Sequence, residues 1–259
     1  MKLLFLALTV CFAAVSAFGE DVIREESIAV TPAAGDIVAI SNINGSISVE
    51  GRDSDVVEVV YVITCETQEE MDAVEVLCDL SNGVVCEVEY DNNGNDDYHG
   101  EVEFRVWVPE NLELSFELAN VNGDASISFA EGTLLIEVVN GDISASHFNG
   151  EVNIELVNGS VTTADISKLS GVDIVNGDII CSIGEVENDI FLSSVNGEIS
   201  IDLVTDAIVK IETLSGEIGV SRGFNADIEE SIAGKSTSFG YGEHTIAVST
   251  VSGDITISD

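Results

Sequence analysis

The 259-residue sequence predicts an all-β fold: a β-solenoid of roughly 18–20-residue coils, two short strands per coil, preceded by an antiparallel β region. Three observations predict it. A Val-Asn-Gly-Asp motif recurs through the second half at near-constant spacing. Around each copy, apolar and polar residues alternate at the period of two that marks a strand. Twenty-three glycines against 2 prolines, in a chain that is 45% hydrophobic, supply many tight turns and enough apolar surface for a core.

From the N terminus, Met1-Lys2 and the uncharged apolar run over residues 3–15 have the form of a secretory leader ending at Ala17. Residues 1–17 are therefore expected to be a signal peptide, and the mature chain to be exported to the periplasm, the cell surface or the medium. The run is too short to span a bilayer, which takes about 20 residues. Residues 18–109 are expected to form the antiparallel region, abutting and capping the first coil. They hold an isolated motif copy, Ile43-Asn44-Gly45-Ser46, and β-rich runs over 56–64, 74–80, 84–90 and 102–108. The capping-box sequence Thr67-Gln68-Glu69-Glu70 predicts one short helix over 68–73.

Export makes cysteine pairing an open question. Cys11 falls in the leader, leaving Cys65, Cys78, Cys86 and Cys181. Cys78 and Cys86 flank Ser81-Asn82-Gly83, and a three-residue hairpin loop there would set them opposite each other. A disulfide between them and a set of four buried thiols both fit that pattern. No C-x-x-C pair occurs, so a zinc or thioredoxin-like site has no support.

Residues 110–259 carry the repeats, with motif glycines at Gly123, Gly141, Gly159, Gly177, Gly197, Gly216, Gly234 and Gly253. Asn-Gly at the corner supplies the positive φ of a tight turn. Counted across the glycine, three columns are expected to face inward. Two residues before it stand Val121, Val139, Val157, Val175, Val195, Leu214, Ile232 and Val251; two after come Ala125 to Ile255, and four after come Ile127 to Ile257. One coil cannot bury its apolar face alone, but eight stacked coils can. Cys181, on an inward column, is expected to be a packed thiol.

Asn42-Ile43-Asn44-Gly45-Ser46-Ile47-Ser48-Val49, the strand end Val106-Trp107-Val108-Pro109 and the Val-Asn-Gly-Asp series together resemble the bacterial adhesin-like family of unknown function, the DUF4097-type domain. The likeness spans roughly residues 30–259. It implies an exported β-solenoid with no established catalytic residues, so no site is carried over.

The chain has 48 Asp and Glu against 8 Lys and Arg, a net charge of −40 and a pI near 4.1. Phosphate neutralisation needs a basic face, which excludes nucleic acid as a partner, and an anionic membrane surface is excluded by the same sign. Two acidic arrangements are candidates for Ca²⁺. The residue after the motif glycine is acidic at Asp124, Asp142, Asp178, Glu198, Glu217 and Asp254, with Ser160 and Lys235 completing the series. Stacked about 4.8 Å apart, neighbouring carboxylates repel by about 1 kcal/mol in water. A cation would relieve that, although the Ca²⁺-binding nonapeptide of other solenoids is absent. Separately, Asp91, Asn93, Asn95 and Asp97 take positions 1, 3, 5 and 7 of an EF-hand-like loop, but Asp96 stands where Gly is needed and Val102 where Glu is needed. A solvated face and a polar hairpin tip are the simpler readings of the two. No other cofactor is expected.

His99, His147 and His244 share no spacing with a nucleophile or with metal ligands. The repeats also lack the loop insertions from which a polysaccharide-cleaving β-helix builds its groove. The expectation is an exported, non-enzymatic, adhesin-like solenoid, serving as surface scaffold or binding protein for an extracellular or envelope ligand. A carbohydrate-active β-helix enzyme and a structural envelope protein without a specific ligand are the alternatives.

Overall fold

The structure is a computed structural model that describes residues 16–17, 21–91, 100–184, 186–204, 207–224, 226–232 and 234–259. Residues 1–15 of the expected leader lie outside them. Nearly every described element is a strand. The exception is the helix Gln68–Asp72, capped as its sequence predicts: Thr67 Oγ1 accepts from Glu70 N at 3.2 Å, and Glu70 Oε2 accepts from Thr67 N at 3.2 Å. No described helix is long and apolar enough to cross a membrane.

Two compact units divide the chain, the first ending at Thr133 and the second running Leu134–Asp259. The expected boundary at 109/110 therefore falls inside the first unit. The reason is pairing: Ile37–Asn44 runs parallel to Glu113–Asn122, placing Asn44 opposite Asn122, and Ile47–Arg52 runs parallel to the start of Ala125–Asn140. The isolated motif copy is thus the partner of the first regular one.

The antiparallel ladders expected in this unit are present. Val57–Cys65 lies between Val22–Val30 and Glu101–Pro109, and Val74–Asp79 pairs with Gly83–Tyr90. Ser16–Ala17 adds a two-residue antiparallel pairing to Ile23 and Val22. Parallel ladders accompany them, because Ile37–Asn44 also pairs with Gly83–Tyr90 and Ile47–Arg52 with Glu101–Pro109. The unit is thus a pair of mixed ladders. Phe104, Phe116, Leu114, Ile40 and Ile47, each about 1% exposed or less, fill its core. Buried Asn42 and Asn120 satisfy main-chain carbonyls at the corners, donating to Val102 O at 2.8 Å and to Gly45 O at 2.7 Å.

The second unit is the solenoid. Ile143–Asn158 and Val161–Asn176 are parallel, with one register from Ile143 to Phe148 and from Asn153 to Asn158 and a one-residue shift between. Each bends at one left-handed residue, His147 (φ 50°) or Asp165 (φ 54°). Both strands of a coil therefore form one continuous 16-residue element. Inward columns run through Ile143, Val161, Ile179, Ile199, Ile255 and Ile218, and through Ala145, Thr163, Cys181, Ile201 and Ile257.

Three features differ from a plain repeat here, the first and third against expectation. The column two residues before the glycine points outward: Val139, Val157, Val175, Val195, Val251 and Leu214 are 39–58% exposed. The residue one position earlier is buried instead, as at Val138, Leu156 and Ile174. Four residues, an even number, separate the inward positions on either side of the corner, as between Val138 and Ile143, so side-chain parity flips across it. Second, the coils are not stacked in chain order. Thr245–Ser252 pairs with Ile190–Asn196 on one side and Ile208–Ser215 on the other, so the last coil fills a place between two earlier ones. Third, the degenerate copy around Gly234 is no coil. After Val220 the chain turns at Ser221 to Phe224, and Gly234–Phe239 returns antiparallel to Ile208–Ser215. Thr237 and Phe239 face inward there, where Ser236 and Ser238 were expected.

Candidate functional site

The second unit carries its chemistry on the outside of the Asn-Gly corner, in three parallel lines. The middle line is an asparagine ladder. Asn158 Nδ2 donates to Asn140 Oδ1, Asn176 to Asn158 and Asn196 to Asn176, each at 2.9 Å. Glycine is required beside it because successive corners are in contact: a Cβ at Gly177 (φ 142°) would stand 1.5 Å from Gly159 O. Asparagine is thus more than a turn former; each amide joins one coil to the next.

On one side of the ladder runs the acidic column. In spatial order it reads Asp142, Ser160, Asp178, Glu198, Asp254, Glu217. Its aspartates bond to main chain: Asp142 Oδ1 accepts from Ser160 N, Asp178 from Glu198 N and Asp254 from Glu217 N, each at 2.8 Å. Lys235 Nζ reaches Glu217 Oε1 at 2.6 Å, and this bond raises the Lys235 pKa. Asp124, in the first unit, accepts Ile47 N at its main-chain oxygen at 2.9 Å. Among the described residues no three His, Cys, Asp or Glu side chains converge as metal ligands would. Of the EF-hand-like set only Asp91 is described, its N–H bonded to Ala73 O at 2.8 Å; Asn93, Asn95 and Asp97 lie outside the described residues.

On the other side of the ladder runs the aliphatic line, in spatial order Val139, Val157, Val175, Val195, Val251, Leu214. Two residues further out stand Glu137, Glu155, Asp173, Ser193, Ser249 and Glu212, so a second acidic column borders it. At the Val195–Val251–Leu214 end the surface becomes a groove of about 490 Å³, also lined by Glu212, Ser193, Lys235 and Ser231. Sequence reasoning missed this line by placing it in the core. Residue type did not give it away, since the inward column Ile143, Val161, Ile179, Ile199, Ile255 and Ile218 is equally uniform; the signal was the count of residues through the corner.

The remaining candidates have structural partners. Cys78 and Cys86 face each other across the hairpin and are joined by a disulfide. Cys181 is buried, and burial pushes its thiol up to about 11. Cys65 is buried too and is likewise raised. His147 Nε2 lies 3.3 Å from Asp165 Oδ2 at the second corner, both side chains largely exposed. His244 Nδ1 lies 3.9 Å from Asp189. In the first unit, Arg52 stacks 4.2 Å from the Trp107 ring while Glu50 accepts from both, and the Arg52 bond holds the Glu50 carboxyl below its usual range.

The model of the family described as Toastrack DUF4097 matches residues 36–258. The chain belongs to that family. The match begins at the Ile37–Asn44 strand and closes with the final coil, so it takes in the non-repeating strands together with the solenoid. No curated protein matches the chain. Among solved structures, one from Clostridium sporogenes ATCC 15579, provisionally named a cell adhesion protein, is similar at 15% identity. It covers 91% of this chain and 99% of its own, with a TM-score of 0.42. One from Parabacteroides distasonis ATCC 8503, provisionally named a lipid binding protein, shares 12% identity over 91% and 97% of the two chains, with a TM-score of 0.41. One from Bacteroides fragilis NCTC 9343, provisionally named an adhesin, shares 8% over 90% and 97%, with a TM-score of 0.34.

Proposed function

We propose that this Toastrack protein is an exported, non-enzymatic, adhesin-like solenoid that presents ladders of identical side chains to an extracellular or envelope ligand. The observation that carries the reading is the outward line of valines, repeated rung after rung between two acidic columns. A repeat that builds such a line gives a partner many equivalent contacts, which suits adhesion better than turnover. Glycosidic cleavage, by contrast, takes two carboxyl groups roughly 5–9.5 Å apart on either side of one bond in a cleft. The aspartates of the post-glycine column are bonded to main-chain N–H groups and lie along an open corner. Export is supported by the leader over residues 1–17 and by the Cys78–Cys86 disulfide, which persists in oxidising compartments.

The test is to probe a glycan and peptide array with the purified chain and assay the same glycans for released reducing ends. Retention of one ligand class without release is the expected result. Release of reducing ends would overturn the reading in favour of a carbohydrate-active enzyme.

A further inference from the structure

We propose that the outward valine line of the second unit is a docking track for a cationic amphipathic helix on a partner protein, an inference that rests on the adhesin-like reading and names the partner's chemistry. The track is one side chain wide. Six aliphatic rungs, Val139 through Leu214, spaced about 4.8 Å apart, extend it to about 24 Å, the length of a helix of about 16 residues. An aliphatic line this long and this exposed is what marks an interaction surface on an otherwise polar face.

Charge selects the occupant. On one flank four of six positions are acidic (Glu137, Glu155, Asp173 and Glu212), and on the other five of six (Asp142, Asp178, Glu198, Asp254 and Glu217). A second copy of this chain would bring −40 against −40, and an anionic lipid surface is repelled in the same way. A partner with an apolar ridge and lysines or arginines on both sides meets the valines with the ridge and each acidic column with one row of cations.

Periodicity selects a helix over a strand. A ligand lying along the stack meets a rung about every 4.8 Å; a helix repeats every 5.4 Å, whereas same-face residues of a strand repeat about every 6.8 Å. Helix-in-groove recognition by an apolar face with i, i+3, i+4 and i+7 anchors is a common mode. The groove bounded by Val195, Val251, Leu214, Glu212 and Lys235 closes one end of the track and offers a stop for the helix terminus.

The probe is a synthetic 18-residue peptide with leucines at helical spacing flanked by lysines, compared with a scrambled peptide of the same composition. Calorimetric titration should show the patterned peptide binding at least tenfold more tightly than the scrambled one, with affinity falling as salt rises. The triple variant Val157→Thr, Val175→Thr, Val195→Thr keeps β-branching and exchanges one methyl of each rung for a hydroxyl; it should weaken the patterned peptide about tenfold with melting temperature and circular dichroism unchanged. Equal binding of both peptides, or a triple variant that binds as the parent does, would overturn the proposal by reducing the interaction to bulk charge. Binding of zwitterionic phosphatidylcholine vesicles that depends on the three valines would overturn it in favour of a lipid surface. An array ligand that the triple variant still retains, together with no patterned-peptide binding, would end this proposal while leaving the adhesin-like reading intact. Released reducing ends would end that reading itself.

Discussion

The two units of this protein solve the same burial problem by different means. The first fills its interior with bulky, individually placed residues: Phe104, Phe116 and Tyr61, whose ring lies 5.8 Å from that of Phe104. It adds a disulfide, a capped helix and ladders of both polarities. The second relies on repetition. Its columns of Ile and Val lie in register, and its corners are tied by the same asparagine bond three times over. A non-repeating fold must specify each contact separately, so its signal is spread thinly along the chain. A repeat specifies one contact and copies it, so its signal accumulates. The same copying also leaves outward ladders, which the first unit does not have at that length.

The largest way to break this contrast is at a corner. Gly177→Ala would force a Cβ into Gly159 O and strain a backbone at φ 142°, and should cost about 4–5 kcal/mol. Hydrogen exchange should show the rungs around Ile179–Ile183 opening while Ile37–Asn44 stays protected. The opposite effect should follow Cys78→Ser with Cys86→Ser. Loss of a cross-link closing this short loop should cost about 2–3 kcal/mol, with opening confined to Val74–Asp79 and Gly83–Tyr90.

Alkaline pH offers an intermediate test. The Cys181 thiol in the unfolded chain loses its proton near its ordinary 9.0, whereas the buried thiol holds it to about 11. Its contribution is complete below pH 9 and is lost as pH rises from 9 to about 11, about 2–3 kcal/mol in all. In the first unit, burial pushes Tyr90 from 10.0 to about 12, so its loss begins a pH unit later. Chemical denaturation at pH 8, 10 and 11 should show the earlier decline in the parent and its reduction in Cys181→Val, the remainder coming from the raised Cys65 thiol. The smallest effect is expected at the ladder. Asn176→Ala removes two exposed amide bonds and should cost about 1–2 kcal/mol, a drop in melting temperature of a few degrees.

Much of this architecture was legible in the sequence. The glycine spacing, the alternation at Ile143, Ala145, Val161 and Thr163, and the Thr67–Glu70 capping box all reappear in the structure. These are local signals, each contained within a few residues. What failed was non-local or depended on counting through a bend. Parity was carried straight across the corner, which sent Val157 and Val175 inward when the corner turns them out. The motif around Gly253 looks like one more step of the series. Nothing within it reveals that its neighbours in space are Asn196 and Ser215, because placement of a coil depends on the reversal at Ser221 to Phe224. The candidate surface was hidden for the first of these reasons: its residues were visible but had been assigned to the core.

The order of the rungs decides which side chains are neighbours along the outward track, because the last coil lies between the two before it. Cysteine pairs test it directly. Asn196 and Ser252 stand opposite each other on adjacent strands, about 4.8 Å apart, while Asn196 and Ser215 are separated by a further rung, beyond the roughly 7 Å that a disulfide can bridge. Under mild oxidation the pair Asn196→Cys with Ser252→Cys should cross-link within one chain, and Asn196→Cys with Ser215→Cys should remain reduced. Cross-linking of the second pair and not the first would mean that the coils stack in chain order, contradicting the arrangement described above.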